Sequence, residues 1–129
     1  MISIPIKVKE GIAPPLGNPF HLYTIRDVAF QYGKVGEIDT GLDFKLPPNT
    51  VLTIRSTVPG LYVMDWKMEE GTLKVAVVAV GLPVNLVGKV AWGTAEVSSA
   101  ERVPMRFLEM ADEGGRKIRG DLQSVKSGE

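Results

Sequence analysis

Ile38-Asp39-Thr40-Gly41-Leu42-Asp43-Phe44-Lys45-Leu46-Pro47-Pro48-Asn49 decides the fold class. Leu42, Phe44 and Leu46 alternate with polar residues, the period-two pattern of a strand with one buried face. Pro47-Pro48-Asn49 stops that strand with a hard turn, and Thr40-Gly41 before it marks a bulge. Working outward, the same grammar repeats. Upstream, Ile2, Ile4, Ile6 and Val8 alternate, with Pro5 arguing for an edge strand or one paired on a single side. Residues 11–19 form a loop, and Phe20 to Ile25, Val28 to Phe30 and Lys34 to Asp39 are short strands. Downstream, Thr50 to Ser56 is rich in β-branched residues, and Gly60 to Trp66 follows as a strand. Thr72 to Val80 is nearly continuous apolar sequence, which suits a strand buried on both faces. Val84 to Leu86, Lys89 to Val97 and Val103 to Leu108 bring the expectation to about ten short antiparallel strands. The reading is an all-β domain over residues 1–108, a β-barrel or sandwich, followed by a C-terminal tail over 109–129. In the tail, Ile118, Leu122 and Val125 at i, i+4 and i+7 leave open a short amphipathic helix or a mobile polar segment.

Composition narrows the function classes. The chain has 129 residues, 44% of them hydrophobic and 23% charged, which suits one globular domain. Fifteen basic residues balance fifteen acidic ones, so no electrostatic footprint for duplex nucleic acid or an anionic membrane exists at the level of net charge. There is no cysteine, which removes thiolate catalysis, disulfides and cysteine metal sites. A single histidine, His21, cannot build a multi-histidine metal centre. No apolar run approaches the roughly 18 residues a membrane helix needs, and Met1-Ile2-Ser3-Ile4-Pro5 lacks the basic start and apolar stretch of a signal peptide. The expected location is therefore the cytoplasm. Gly114-Gly115 lacks the lysine and hydroxyl of a phosphate loop, and Ser98-Ser99 has no nearby histidine for a catalytic triad.

One pattern spans most of the chain. Thr40-Gly41-Leu42, the alternating strand and Leu46-Pro47-Pro48 are joined upstream by Phe20-His21-Leu22-Tyr23 and Asp27-Val28. Downstream come Ile54-Arg55-Ser56, then Gly60-Leu61, then Gly71-Thr72-Leu73-Lys74-Val75. In this order, over about residues 2–108, the sequence resembles the trimeric dUTPase family, and the related dCTP deaminases share much of the pattern. The resemblance implies a distorted jelly-roll, a homotrimer with sites at subunit boundaries, and a C-terminal arm that closes a neighbour's site. It also implies hydrolysis of dUTP by an aspartate-activated water, with magnesium riding on the triphosphate.

The motifs that carry this chemistry are degenerate. His21 stands where the family has an aspartate, and is either a packed strand histidine or a phosphate contact. Arg55 and Ser56 retain part of the phosphate-binding motif, but Thr53 replaces its preceding arginine and residues 57–59 intervene before Gly60-Leu61. The uracil-binding hairpin shortens to Val63 through Gly71, leaving Asp65 as the candidate base and Trp66 as a stacking ring, or else a turn residue and a core or interface aromatic. Glu69-Glu70 beside Asp65 form a small acidic cluster, either a cation holder or a solvated turn. Trp92 falls near the family's glutamine and reads as packing or a trimer contact. The tail lacks the aromatic that caps the base. The leading expectation is thus a homotrimer that has lost diphosphatase activity, a pseudoenzyme that binds or senses a nucleotide-type ligand through Arg55, Ser56, Trp66 and His21. A structural trimer, such as a viral or phage accessory or capsid-decorating protein located in the virion, is the alternative. A divergent active dUTP diphosphatase using Asp65 and magnesium is a third reading. No membrane partner and no protein-bound metal are expected.

Overall fold

The computed structural model of the protein describes residues 2–99 and 104–110. Eleven strands follow in chain order: β1 (Ile2–Val8), β2 (Phe20–Tyr23), β3 (Val28–Phe30), β4 (Val35–Asp39), β5 (Leu42–Phe44) and β6 (Thr50–Ser56). Then come β7 (Leu61–Glu69), β8 (Thr72–Ala79), β9 (Val84–Leu86), β10 (Ala91–Ser99) and β11 (Met105–Glu109). No helix appears among the described residues, and the fold is all-β. The candidate tail helix at Ile118, Leu122 and Val125 lies outside the described residues.

The strands form four small sheets, ordered β11-β1-β5, β2-β10-β6, β3-β9 and β4-β8-β7. They do not close into the barrel that turn spacing alone left open. Nor is every pair antiparallel: β1 and β11 run parallel, with Ile2 opposite Met105 and Ile6 opposite Glu109. β1 is therefore the central strand of its sheet rather than an edge. Pro5 is accommodated by strand phase. Ile2 N donates to Pro104 O and Met110 N donates to Ile6 O, so the even-numbered residues of β1 bond β11. Pro5, with odd phase, turns its missing N–H toward β5, whose pairing starts only at Ile6–Phe44.

Thr40-Gly41 is not a bulge within a strand but the corner where the chain leaves β4 and enters β5 in another sheet. Gly41 takes φ +75°, which a Cβ would strain. Thr40 N and Thr40 Oγ1 both donate to Leu73 O, at 3.0 and 2.9 Å, which fixes the corner against β8. The bulges occur instead at Val63/Asp65 on β7 and Ala91/Gly93 on β10.

Burial follows the period of two. Leu73, Val75, Val77 and Ala79 on β8 are fully buried. Lys74, Ala76 and Val78 on the opposite face are half-buried, so β8 is sealed on one face only. It reads as continuous apolar sequence because Ala76 and Val78 sit mid-sheet, flanked by β4 and β7. Phe107 on β11 meets Phe20 and Phe44 edge-on, each at 5.0 Å between ring centres, tying three strands together. Trp92 is wholly buried, a packing role, with its Nε1 unpartnered.

Candidate functional site

The sheet β2-β10-β6 positions the first group of candidate residues. Thr94 on β10 lies opposite His21 on one side and Arg55 on the other. Residues directly opposed in a ladder share a face, so His21, Thr94 and Arg55 form one outward row. His21 and Arg55 are both exposed. Two strand spacings separate them, about 10 Å between backbones.

β6 ends at Ser56, and residues 57–60 turn the chain into β7. Ser56 Oγ accepts a hydrogen bond from Val58 N at 3.1 Å and donates to Val58 O at 3.3 Å, so this hydroxyl braces the turn. Leu61 N donates to Val58 O at 3.1 Å, and Thr57 N to Trp92 O at 2.9 Å. Gly60 takes φ +82°, and Val80 N donates to its carbonyl. β6 and β7 therefore diverge into separate sheets instead of pairing as a hairpin. The angle between them is a cleft of about 400 Å³, lined by Arg55, Ser56, Val58, Pro59, Tyr62 and Val63 among others. Among the described residues, Arg55 is the only charged one lining it, and no described carboxylate lies within salt-bridge reach of that guanidinium. The backbone under Arg55 is held by close packing: a Cβ on Gly93 would sit 2.6 Å from Arg55 O.

Asp65 and Trp66 belong to a different depression. The bulge at Met64 brings Asp65 opposite Ala76, which lies opposite Glu37 in turn. This smaller cavity, about 190 Å³, is lined by Glu37, Asp65, Trp66, Lys67, Lys74 and Ala76. Asp65 Oδ1 accepts a hydrogen bond from Trp66 N at 2.8 Å. Trp66 packs against the core. The neighbouring acids are matched by lysines. Lys67 Nζ lies 3.2 Å from Glu69 and 3.6 Å from Glu37. Lys74 Nζ lies 3.3 Å from Glu70 and 3.7 Å from Glu69. The hydrogen bond to Glu69 holds the Lys67 ammonium above its usual range, helped by the charges of Glu69 and Glu37. Lys74 is raised chiefly by its hydrogen bond to Glu70. The acidic cluster read from the sequence is thus a surface ion-pair network. No group of three or more His, Asp or Glu among the described residues is arranged to hold a metal.

His21 lines a third cavity of about 240 Å³, with Tyr23 and the proline-rich loop before β2. The five candidates from the sequence are accordingly divided: Arg55 with Ser56, Asp65 with Trp66, and His21 by itself, linked to Arg55 only through Thr94.

Two participants escaped the sequence reading. Tyr62 lines the Arg55 cleft and is 56% exposed. An exposed tyrosine next to Gly60-Leu61 is the signal that points to it. Asp39 is the hub of a polar knot. Its carboxylate takes Lys9 Nζ at 2.8 Å, Thr72 Oγ1 at 2.6 Å and Gly41 N at 2.9 Å. The Asp-Thr-Gly step, with a second Gly-Thr at 71–72, is its trace in the sequence.

No protein-family model matches the chain, and no curated protein matches it at a significant level. No described helix is long and apolar enough to cross a membrane.

Proposed function

We propose that the chain is a nucleotide-binding protein of the trimeric dUTPase type without diphosphatase activity, its ligand seated in the cleft between β6 and β7. The observation that carries this reading is the placement of Arg55. The motif residue that resembles the family's phosphate ligand stands at an open cleft, with no ion-pair partner and no second charge among the described residues there. A guanidinium there can meet phosphate oxygens through two parallel N–H donors. Asp65, the candidate base, lines a separate cavity and is engaged by the Trp66 amide. Among the described residues of one protomer, no base stands beside a phosphate held at Arg55 to activate an attacking water. The magnesium expected from the resemblance would ride on the triphosphate itself, since none of the described residues lining the cleft is a carboxylate that could hold it. Binding at a boundary between three copies, in the cytoplasm, belongs to the same proposal.

The test is calorimetric titration of the full chain with dUTP and magnesium, alongside sedimentation equilibrium. Saturable heat without turnover, from a species of three chains, is the expected result. Arg55→Ala is expected to weaken binding by about 1.5–3 kcal/mol, the range of a charge-assisted hydrogen bond. Sustained heat on repeated injection would instead establish hydrolysis, the divergent-enzyme reading.

A structural trimer is favoured by one observation. Val35, Val78 and Tyr62 form an outward row across β4-β8-β7, and Val35, Tyr62 and nearby Met64 are each more than half exposed. Apolar rows of this kind mark association surfaces. A trimer with no heat from any nucleotide would decide for that reading.

A further inference from the structure

We infer that the outer edge of β7 is a contact surface for a second copy of this chain, the two strands pairing antiparallel about a two-fold axis at Trp66. Among the described residues, β7 is the outer strand of the sheet β4-β8-β7. Strand phase shows which of its backbone groups face outward. Thr40 N donates to Leu73 O and Gly33 N to Ala79 O, so the odd residues of β8 serve the β4 side. Val80 N, just past β8, donates to Gly60 O, so the even positions serve the β7 side. Beyond the bulge, Asp65, Lys67 and Glu69 lie opposite Ala76, Lys74 and Thr72 and share those bonds. The N–H and C=O groups of Trp66 and Met68 therefore point away from β8. Trp66 N agrees with this phase: it donates to Asp65 Oδ1 at 2.8 Å instead of to the ladder. Such an edge is a template for another strand.

Charge complementarity selects a copy of the same strand as the occupant, in one register. Phase admits only pairings that set an even residue against an even one. Centred on Asp65, two Asp65 carboxylates meet. Centred on Lys67, two ammonium groups meet and Asp65 faces Glu69. Centred on Met68, Lys67 faces Glu69, but Trp66 then needs Glu70, which has left the strand at φ +57°. Centred on Trp66, Asp65 faces the partner's Lys67 twice, on the solvent face and in the closer, non-hydrogen-bonded kind of pair. The same register sets Met64 against the partner's Met68 and Trp66 against its counterpart. It thereby covers Met64 and Met68, which are exposed. Trp66 N would exchange Asp65 Oδ1 for a carbonyl of the partner strand, and the freed carboxylate would turn to Lys67 across the seam. A seam this short buries less than the roughly 1,200–2,000 Å² of a stable interface, so it closes only as the protein is concentrated, joining in pairs whatever species exists below that. It uses no residue that lines the Arg55 cleft, so it stands apart from the nucleotide reading.

The experiment uses the absence of native cysteine. Full-length Asp65→Cys and Lys67→Cys variants are oxidised alone and as a mixture, at high concentration. Opposed Cα atoms of this pair type lie about 4.5 Å apart, within disulfide reach. We expect the mixture to yield at least about fivefold more cross-linked two-chain product than either variant alone. Sedimentation velocity across a concentration series supplies the second reading. Asp65→Lys, with its melt unchanged, should weaken the concentration-dependent association at least about fivefold, and adding Lys67→Asp to it should restore the parent value within about twofold. Cross-linking of either variant alone as efficient as that of the mixture would mean a different register and overturn the inference. Association that proceeds without cross-linking, or that ignores the charge exchange, would place the contact elsewhere, as on the Val35–Val78–Tyr62 row, and overturn it too. A parent that shows no concentration-dependent association would remove the second copy as the occupant of this edge.

Discussion

Asp39 illustrates what a single side chain contributes to this fold. Burial works against its charge, but the hydrogen bonds from Lys9, Thr72 and the Gly41 amide outweigh it and hold the carboxyl below its ordinary value of 3.8. The unfolded state thus binds a proton more readily than the folded one. The associated stability is fully present above the unfolded value and is lost as pH falls through the lower, folded one. Asp39→Asn removes the charge from three donors, and is expected to cost about 1.5–3 kcal/mol at neutral pH. Urea titrations at pH 7 and near pH 3 check this: the deficit should shrink in acid, because below 3.8 the unfolded parent takes up a proton at this carboxyl more readily than the folded one. A deficit that is unchanged between the two would assign the knot to shape instead of charge.

At the scale of elements, the ladder β6–β10 positions the cleft proposed to bind the ligand. Gly93 lets β10 lie against the backbone of Arg55, and a methyl group there has nowhere to go, since the atom it meets is a carbonyl oxygen at 2.6 Å. Gly93→Ala is expected to destabilise by about 1–3 kcal/mol through overpacking. It should also shift Arg55 and weaken ligand binding, measured by thermal melts and titration on the same preparation. This strand pair also shows how far the sequence could be read. β6 and β9 are found at the residues that β-branched content and turn signals mark, because those cues are local. The parallel partnership of β1 with β11 was illegible, since nothing near Ile2 records what lies opposite it about a hundred residues later. The candidate site was partly legible for the same reason. Arg55 and Ser56 are neighbours in sequence and share a cleft. Asp65 was assigned to that site by motif order, but the β7 bulge and the divergence of β6 from β7 send it to another surface. Burial of Trp92 is consistent with the packing role read from its size, whereas its unpartnered Nε1 could not be foreseen.

The molecule as a whole is closed by its last described strand. Phe107 stands on β11 and touches rings from β2 and β5, elements far apart in sequence. Phe107→Ala is expected to lower stability by about 2–4 kcal/mol, less than for a fully buried ring because Phe107 is half-covered. Chemical denaturation measures the loss. Stopped-flow refolding should place the parent in the millisecond-to-second range of folds dominated by distant pairings. The parallel seam between β1 and β11 has a further consequence, for the protein while it is being made. At about 5–20 residues per second, many seconds pass between synthesis of Ile2–Val8 and synthesis of the strand that covers one of its sides. Throughout that interval an apolar, β-prone heptapeptide waits with the β11 side uncovered, the kind of segment that stacks on other nascent chains. Pro5, whose lost N–H costs the finished sheet nothing, removes a donor from the opposite, β5-facing side, so the growing segment lacks an unbroken ladder on both of its sides at once.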